Sequence, residues 1–132
     1  MVAKIVFIQL QRNCQISKVF DGCALAENWT SASNNFSGGS YNIYDQSRKR
    51  WHQTWVDSTG TLLQLEGGLV DGVMVLQGVS IDKGGKPVQQ RISWTPNPDG
   101  SVRQLWQSKS ENNNWESVFD GLYRRKPNTL EQ

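Results

Sequence analysis

The chain has 132 residues, of which 36% are hydrophobic and 20% charged, and its formal net charge is +2. These proportions suit one globular domain and exclude a disordered tail, a collagen or a coiled coil. No apolar run approaches the roughly 20 residues of a membrane-spanning helix, and so weak a charge balance argues against a dedicated nucleic-acid surface.

In chain order, the first candidate element is a strand over 3–10, centred on Ile5-Val6-Phe7-Ile8. That stretch is too short for a secretory core, and no small-residue cleavage site follows it, so a cytoplasmic protein is expected. Further strands are expected at about 13–20, 23–30, 39–45, 50–57, 61–66, 72–80, 87–95, 101–108 and 115–124. Asp21-Gly22, Ser37-Gly38-Gly39, Asp57-Ser58-Thr59-Gly60, Gly67-Gly68, Asp71-Gly72, Gly84-Gly85 and Asn97-Pro98-Asp99-Gly100 read as the turns between them. A meander of about ten hairpin-linked strands leaves two open edges unless it curls and closes. The expected fold is therefore all-β, a single antiparallel up-and-down barrel over 1–126 with a polar tail at 127–132. A two-sheet sandwich is the alternative. Residues 3–10 are expected to be paired, either within the chain or in a homodimer, because an unpaired apolar edge invites aggregation.

Cys14 and Cys23 lie on either side of Asp21-Gly22, so a disulfide is permitted but not required; both are read as reduced packing residues. Two cysteines and the single histidine cannot complete a structural zinc site, and neither metal nor cofactor is expected. The basic runs Arg48-Lys49-Arg50 and Arg124-Arg125-Lys126 read as solvated charge at strand ends, with phosphate binding as the other reading.

The chain holds six tryptophans. Alternation places Trp51, Gln53, Trp55 and Asp57 on one strand face, with His52, Thr54 and Val56 on the other. It sets Ile92 and Trp94 against Arg91, Ser93 and Thr95, and Val102, Gln104 and Trp106 against Arg103, Leu105 and Gln107. A face that mixes tryptophan with amides is how ligand cavities are lined, although the indoles are also large enough simply to fill a barrel. His52 reads as an outward or hydrogen-bonded strand residue, with a proton shuttle or axial haem ligand as alternatives. Asp57 and Asp120 read as turn formers. Glu27 and Glu66 fall inside strands, and if buried they need Arg91 or Arg103 as partner. No phosphate loop, dinucleotide fingerprint or nucleophile elbow is present.

Several blocks are distinctive in combination. They are Gly22-Cys23-Ala24-Leu25-Ala26-Glu27-Asn28-Trp29, Gly39-Ser40-Tyr41-Asn42-Ile43-Tyr44-Asp45, Trp51-His52-Gln53-Thr54-Trp55-Val56-Asp57 and Leu65-Glu66-Gly67-Gly68. Arg91-Ile92-Ser93-Trp94-Thr95-Pro96, Asp99-Gly100-Ser101-Val102-Arg103-Gln104-Leu105-Trp106 and Phe119-Asp120-Gly121-Leu122-Tyr123 follow. Over roughly 15–125 the chain resembles an uncharacterised bacterial family with a calycin-like (lipocalin-like) β-barrel and no established activity. The resemblance implies the fold and little about function. The chain departs from that family at its opening, where a strand of the type Asp-Phe-Trp-x-Gly-x-Trp is replaced by Val2-Ala3-Lys4-Ile5-Val6-Phe7-Ile8-Gln9-Leu10.

The leading expectation is a non-catalytic module that binds a small apolar or aromatic ligand. Trp51, Trp55, Trp94 and Trp106 would form its walls, and Gln53, Arg91 and Gln104 its polar anchors. The alternatives are a cofactor-free enzyme using His52 or a buried glutamate as proton shuttle, and a filled barrel that recruits a protein partner. No nucleic-acid or membrane partner is expected.

Overall fold

The computed structural model describes residues 14–31, 34–110 and 114–124, the side chains of 14–17 excepted. These residues form nine strands: β1 (Cys14–Val19), β2 (Ala24–Thr30), β3 (Ser37–Asp45), β4 (Arg50–Asp57), β5 (Leu62–Val70), β6 (Val73–Ile81), β7 (Pro87–Pro96), β8 (Val102–Lys109) and β9 (Trp115–Tyr123). Each pairs antiparallel with the next, in one sheet of order β1 to β9. The fold is all-β and up-and-down, and the sheet curls into a half-barrel. Among the described residues no pairing joins β9 to β1. The expected strand at 3–10, with its pairing in the chain or in a homodimer, lies outside the described residues, as does the tail at 127–132.

The connections follow from side chains that stabilise turns. Asp71 and Gly72 both have positive φ (50° and 80°), and Val70 pairs with Val73 across them. Two consecutive positive-φ residues give the tight turn whose twist matches flanking strands. At the β6–β7 turn the Asp82 carboxylate accepts from the amides of Gly84 (2.8 Å) and Lys86 (2.9 Å). Asp57 does the same work between β4 and β5 for Thr59 and Thr61.

Two expected turns are strand interior instead. Ser37-Gly38-Gly39 opens β3, and Gly67-Gly68 lies within β5. The reason is close approach. A Cβ on Gly38 would sit 2.5 Å from Cζ2 of the Trp55 indole, and one on Gly67 would sit 2.0 Å from the Val75 carbonyl oxygen. On β6, a Cβ on Gly78 would sit 2.2 Å from the Gln64 carbonyl. Gly67 and Gly78 mark where the sheet folds over. Leu62–Gly67 pairs with β4, but only Glu66–Val70 pairs with β6. The fold is tight enough to bring β6 into contact with β4 across β5.

This curl defines an inner face. Leu63, Leu65, Met74, Leu76 and Ile92 form its buried cluster, with Trp51, Trp55, Trp94 and Trp106 packed against them. Leu65 is fully buried at 0% exposure. Burying a side chain of this kind contributes about 1.5–3 kcal/mol, so the cluster is the main apolar support of the sheet. The outer face carries Tyr41, Val56, Leu62 and Val79, all exposed.

Candidate ligand-binding face

The register arranges the inner face in rows. Tyr44, Trp51, Gly67, Leu76, Ile92, Trp106 and Phe119 follow one another across β3 to β9. The neighbouring row on β6 to β9 is Met74, Trp94, Gln104 and Gly121. Trp51, Gln53, Trp55, Trp94, Gln104 and Trp106 therefore share one surface, centred on the aliphatic cluster. This is the arrangement that alternation within β4, β7 and β8 dictates.

Polar groups on this face are organised on two sides of the cluster. On one side a hydrogen-bond chain crosses β4, β3 and β2. Gln53 Nε2 donates to Asn42 Oδ1 (2.8 Å), Asn42 Nδ2 donates to Ser40 Oγ (2.9 Å), and Ser40 Oγ donates to Glu27 Oε1 (2.9 Å). Gln53, Asn42 and Ser40 are all buried. On the other side Trp106 Nε1 donates to Gln90 Oε1 (2.6 Å), whose Nε2 donates to Ser80 Oγ (3.0 Å). Trp55 Nε1 donates to Asp57 Oδ2 (2.9 Å). No fully buried side-chain nitrogen or oxygen among the described residues lacks a partner, as a low-dielectric surface requires. Gln104 stands apart, since its amide makes no hydrogen bond to any described residue. It is partly buried between Trp94 and Gly121, and the Phe119 ring covers that glycine, 2.6 Å from where a Cβ would be.

Arg91 departs from its expected place as an inward anchor. It pairs with Gln77 and Gln107 on the outer face. There its guanidinium lies 4.0 Å from the Trp115 ring centroid, and its Nε and Nη2 donate to Gln107 Oε1. Lys109 Nζ lies 5.0 Å from the same ring. The cause is parity: Arg91 is one residue from Ile92, and period-2 alternation sends the two to opposite faces.

His52 is also on the outer face, as alternation requires. Its Nδ1 lies 3.1 Å from Glu66 Oε2 and its Nε2 lies 2.6 Å from Thr54 Oγ1. Glu66 is partly exposed and takes Arg48 and His52 as partners, with Arg50 Nη1 3.8 Å away, so the condition for an Arg91 or Arg103 partner does not arise. The Arg48 guanidinium beside it, helped by His52, holds the Glu66 carboxyl below its ordinary pKa. Arg48 also binds Asp45 (2.6 Å), whose pKa it lowers, and its own pKa is raised by Glu66 and Asp45. The first basic run is thus neutralised in part by its own strand neighbours. Of the second, Arg124 lies 3.4 Å from Asp99, and 125–126 lie outside the described residues.

Asp57 is a turn residue as expected. Asp120 is not: it sits in β9 and takes a two-pronged hydrogen bond from Arg103 across the sheet (2.9 and 2.7 Å), which lowers its pKa. Glu27 finds Ser40. Cys23 is free and exposed in the β1–β2 turn, so it is not the packing residue expected. Cys14 pairs with Trp29 at the far end of that hairpin. Five steps along a strand separate its backbone from the turn by roughly 17 Å, beyond the reach of a disulfide.

Ser40, Asn42 and Gln90 were not anticipated on the inner face. The signal was present, since each lies two residues from another inner-face position, but small polar residues in a strand read as solvent-facing by type. Among the described residues no group of three or more His, Cys, Asp or Glu side chains is placed to hold a metal ion, and no helix is long and apolar enough to cross a membrane. No family of known proteins matches the chain, and no curated protein does.

Proposed function

We propose that the chain is a calycin-like β-barrel protein that binds a small, apolar or aromatic molecule on the inner face of its curled sheet. The observation that carries this reading is the placement of Trp51, Trp55, Trp94 and Trp106. All four are partly buried, all border one aliphatic cluster, and two amides, Gln53 and Gln104, lie among them. Indoles offer large flat apolar surfaces at low conformational cost, and isolated amides orient a ligand. Gln104 supports the reading further, because a partly buried amide with open hydrogen-bonding capacity suits a ligand better than a packed core. Arg91 is not part of this site.

The test is calorimetric titration with 1-naphthol. Saturable binding at one site per chain is expected. It should weaken on Trp106→Phe and Gln104→Ala and persist in Trp115→Phe, which alters the opposite face. Absence of saturable binding, or loss only in Trp115→Phe, would overturn the proposal.

A further inference from the structure

The hydrogen-bond chain that runs from Gln53 to Glu27 has a fixed direction, and that direction determines what Gln53 can offer. A carboxylate oxygen only accepts, so the single hydroxyl proton of Ser40 is committed to Glu27. The Ser40 oxygen must then accept, so the atom of Asn42 facing it is the amide nitrogen (2.9 Å). Asn42 Oδ1 is left as acceptor, so the atom of Gln53 facing it is also nitrogen (2.8 Å). Each step leaves one orientation for the next amide, which makes the assignment a consequence of the network. The terminal atom is Gln53 Oε1. It makes no hydrogen bond to any described residue, although Gln53 is only 5% exposed. Since among the described residues no fully buried side-chain oxygen lacks a partner, Oε1 is not fully sealed, and its side chain is on the inner face. It lies on the strand face between Trp51 and Trp55, opposite Leu65.

We infer that Gln53 Oε1 is a dedicated acceptor, and that the inner face selects flat aromatic molecules carrying an N–H or O–H donor over isosteres that lack one. This rests on the binding reading above and specifies its ligand class. Cross-strand polarity is the physical cause. Glu27 lies two strands away from Gln53, yet its inability to donate forces an acceptor outward at the far end. A ligand without a donor would leave that oxygen desolvated and unpaired, which costs more than a hydrogen bond gains.

Indole and benzofuran provide the test, because they share shape and differ by N–H against O. Dissociation constants are measured for both by NMR titration of the wild-type protein and of Glu27→Gln. Indole is expected to bind about tenfold tighter than benzofuran to the wild type. Gln at 27 supplies an N–H, so Ser40 can accept there and donate to Asn42. Both amides then turn over, and Gln53 presents Nε2. The preference for indole should fall to parity or reverse. If both probes bind the wild type equally, the inference fails while the binding site stands. If Glu27→Gln keeps the wild-type preference, the directional chain is not its cause and the inference fails. If neither probe perturbs inner-face residues, the site reading fails and this inference with it. Ser40→Ala supplies a second check by cutting the chain midway, which should also erode the preference.

Discussion

The indole of Trp55 lies directly over Gly38 on the adjacent strand, where a Cβ would approach Cζ2 to 2.5 Å and Cη2 to 2.8 Å. The same ring donates through Nε1 to Asp57 (2.9 Å), so one glycine and one carboxylate fix the position of an inner-face wall. Gly38→Ala should force the ring outward and destabilise the fold by about 1–3 kcal/mol, the usual cost of overpacking. Gly68→Ala is the control, since a Cβ there meets nothing within 4 Å. Its effect should stay within about 0.5 kcal/mol. Urea denaturation of both variants checks the contrast.

Asp57 links this wall to pH. Burial raises its pKa, but hydrogen bonds from Thr59 and Trp55 outweigh that and leave it below its ordinary value. A carboxyl whose folded pKa is depressed stabilises the fold above its unfolded pKa, near about pH 4, and loses that contribution as pH falls through the lower folded value. Wild type should therefore exceed Asp57→Asn in melting temperature at pH 6, with the gap closing toward pH 2. A gap independent of pH would remove the charge from the explanation.

Arg91 and Trp94 are close in sequence but face opposite ways, and this separates binding from local packing. Arg91→Ala should leave affinity for 1-naphthol unchanged while shifting the emission of Trp115, whose ring loses a cation at 4.0 Å. A weakened affinity would place Arg91 in the site after all.

Cys23 is exposed and Cys14 lies at the other end of the β1–β2 hairpin. Ellman's reagent should label Cys23 in the native protein without denaturant. Cys23→Ser should remove one equivalent of that fast labelling and leave stability unaltered, because an exposed thiol loses no packing.

Much of this arrangement was legible in the sequence because β-strand alternation is a strict rule. Trp51, Gln53 and Trp55 are two apart and must share a face, as must Gln104 and Trp106. The turn at Asp71-Gly72 was equally plain. What escaped were features that depend on a second strand. Gly38 and Gly67 read as turns because their real constraint, an indole and a carbonyl on neighbouring strands, has no local signature. The surroundings of Glu66 have no local signature for the same reason: it is partly exposed, so the condition for an Arg91 or Arg103 partner does not arise. Register sets it opposite His52, and the β3–β4 turn brings Arg48 back over it. Arg91 was drawn into the candidate site by its nearness to Trp94, against its own parity.

The measurement that tests the central claim most directly is an indole titration followed by the side-chain N–H signals of the six tryptophans. The account predicts saturable shifts of Trp51, Trp55, Trp94 and Trp106, with the signal of Trp115, on the outer face beside Arg91 and Lys109, unmoved. Shifts confined to Trp115, or no saturable shift in any of the six, would contradict it.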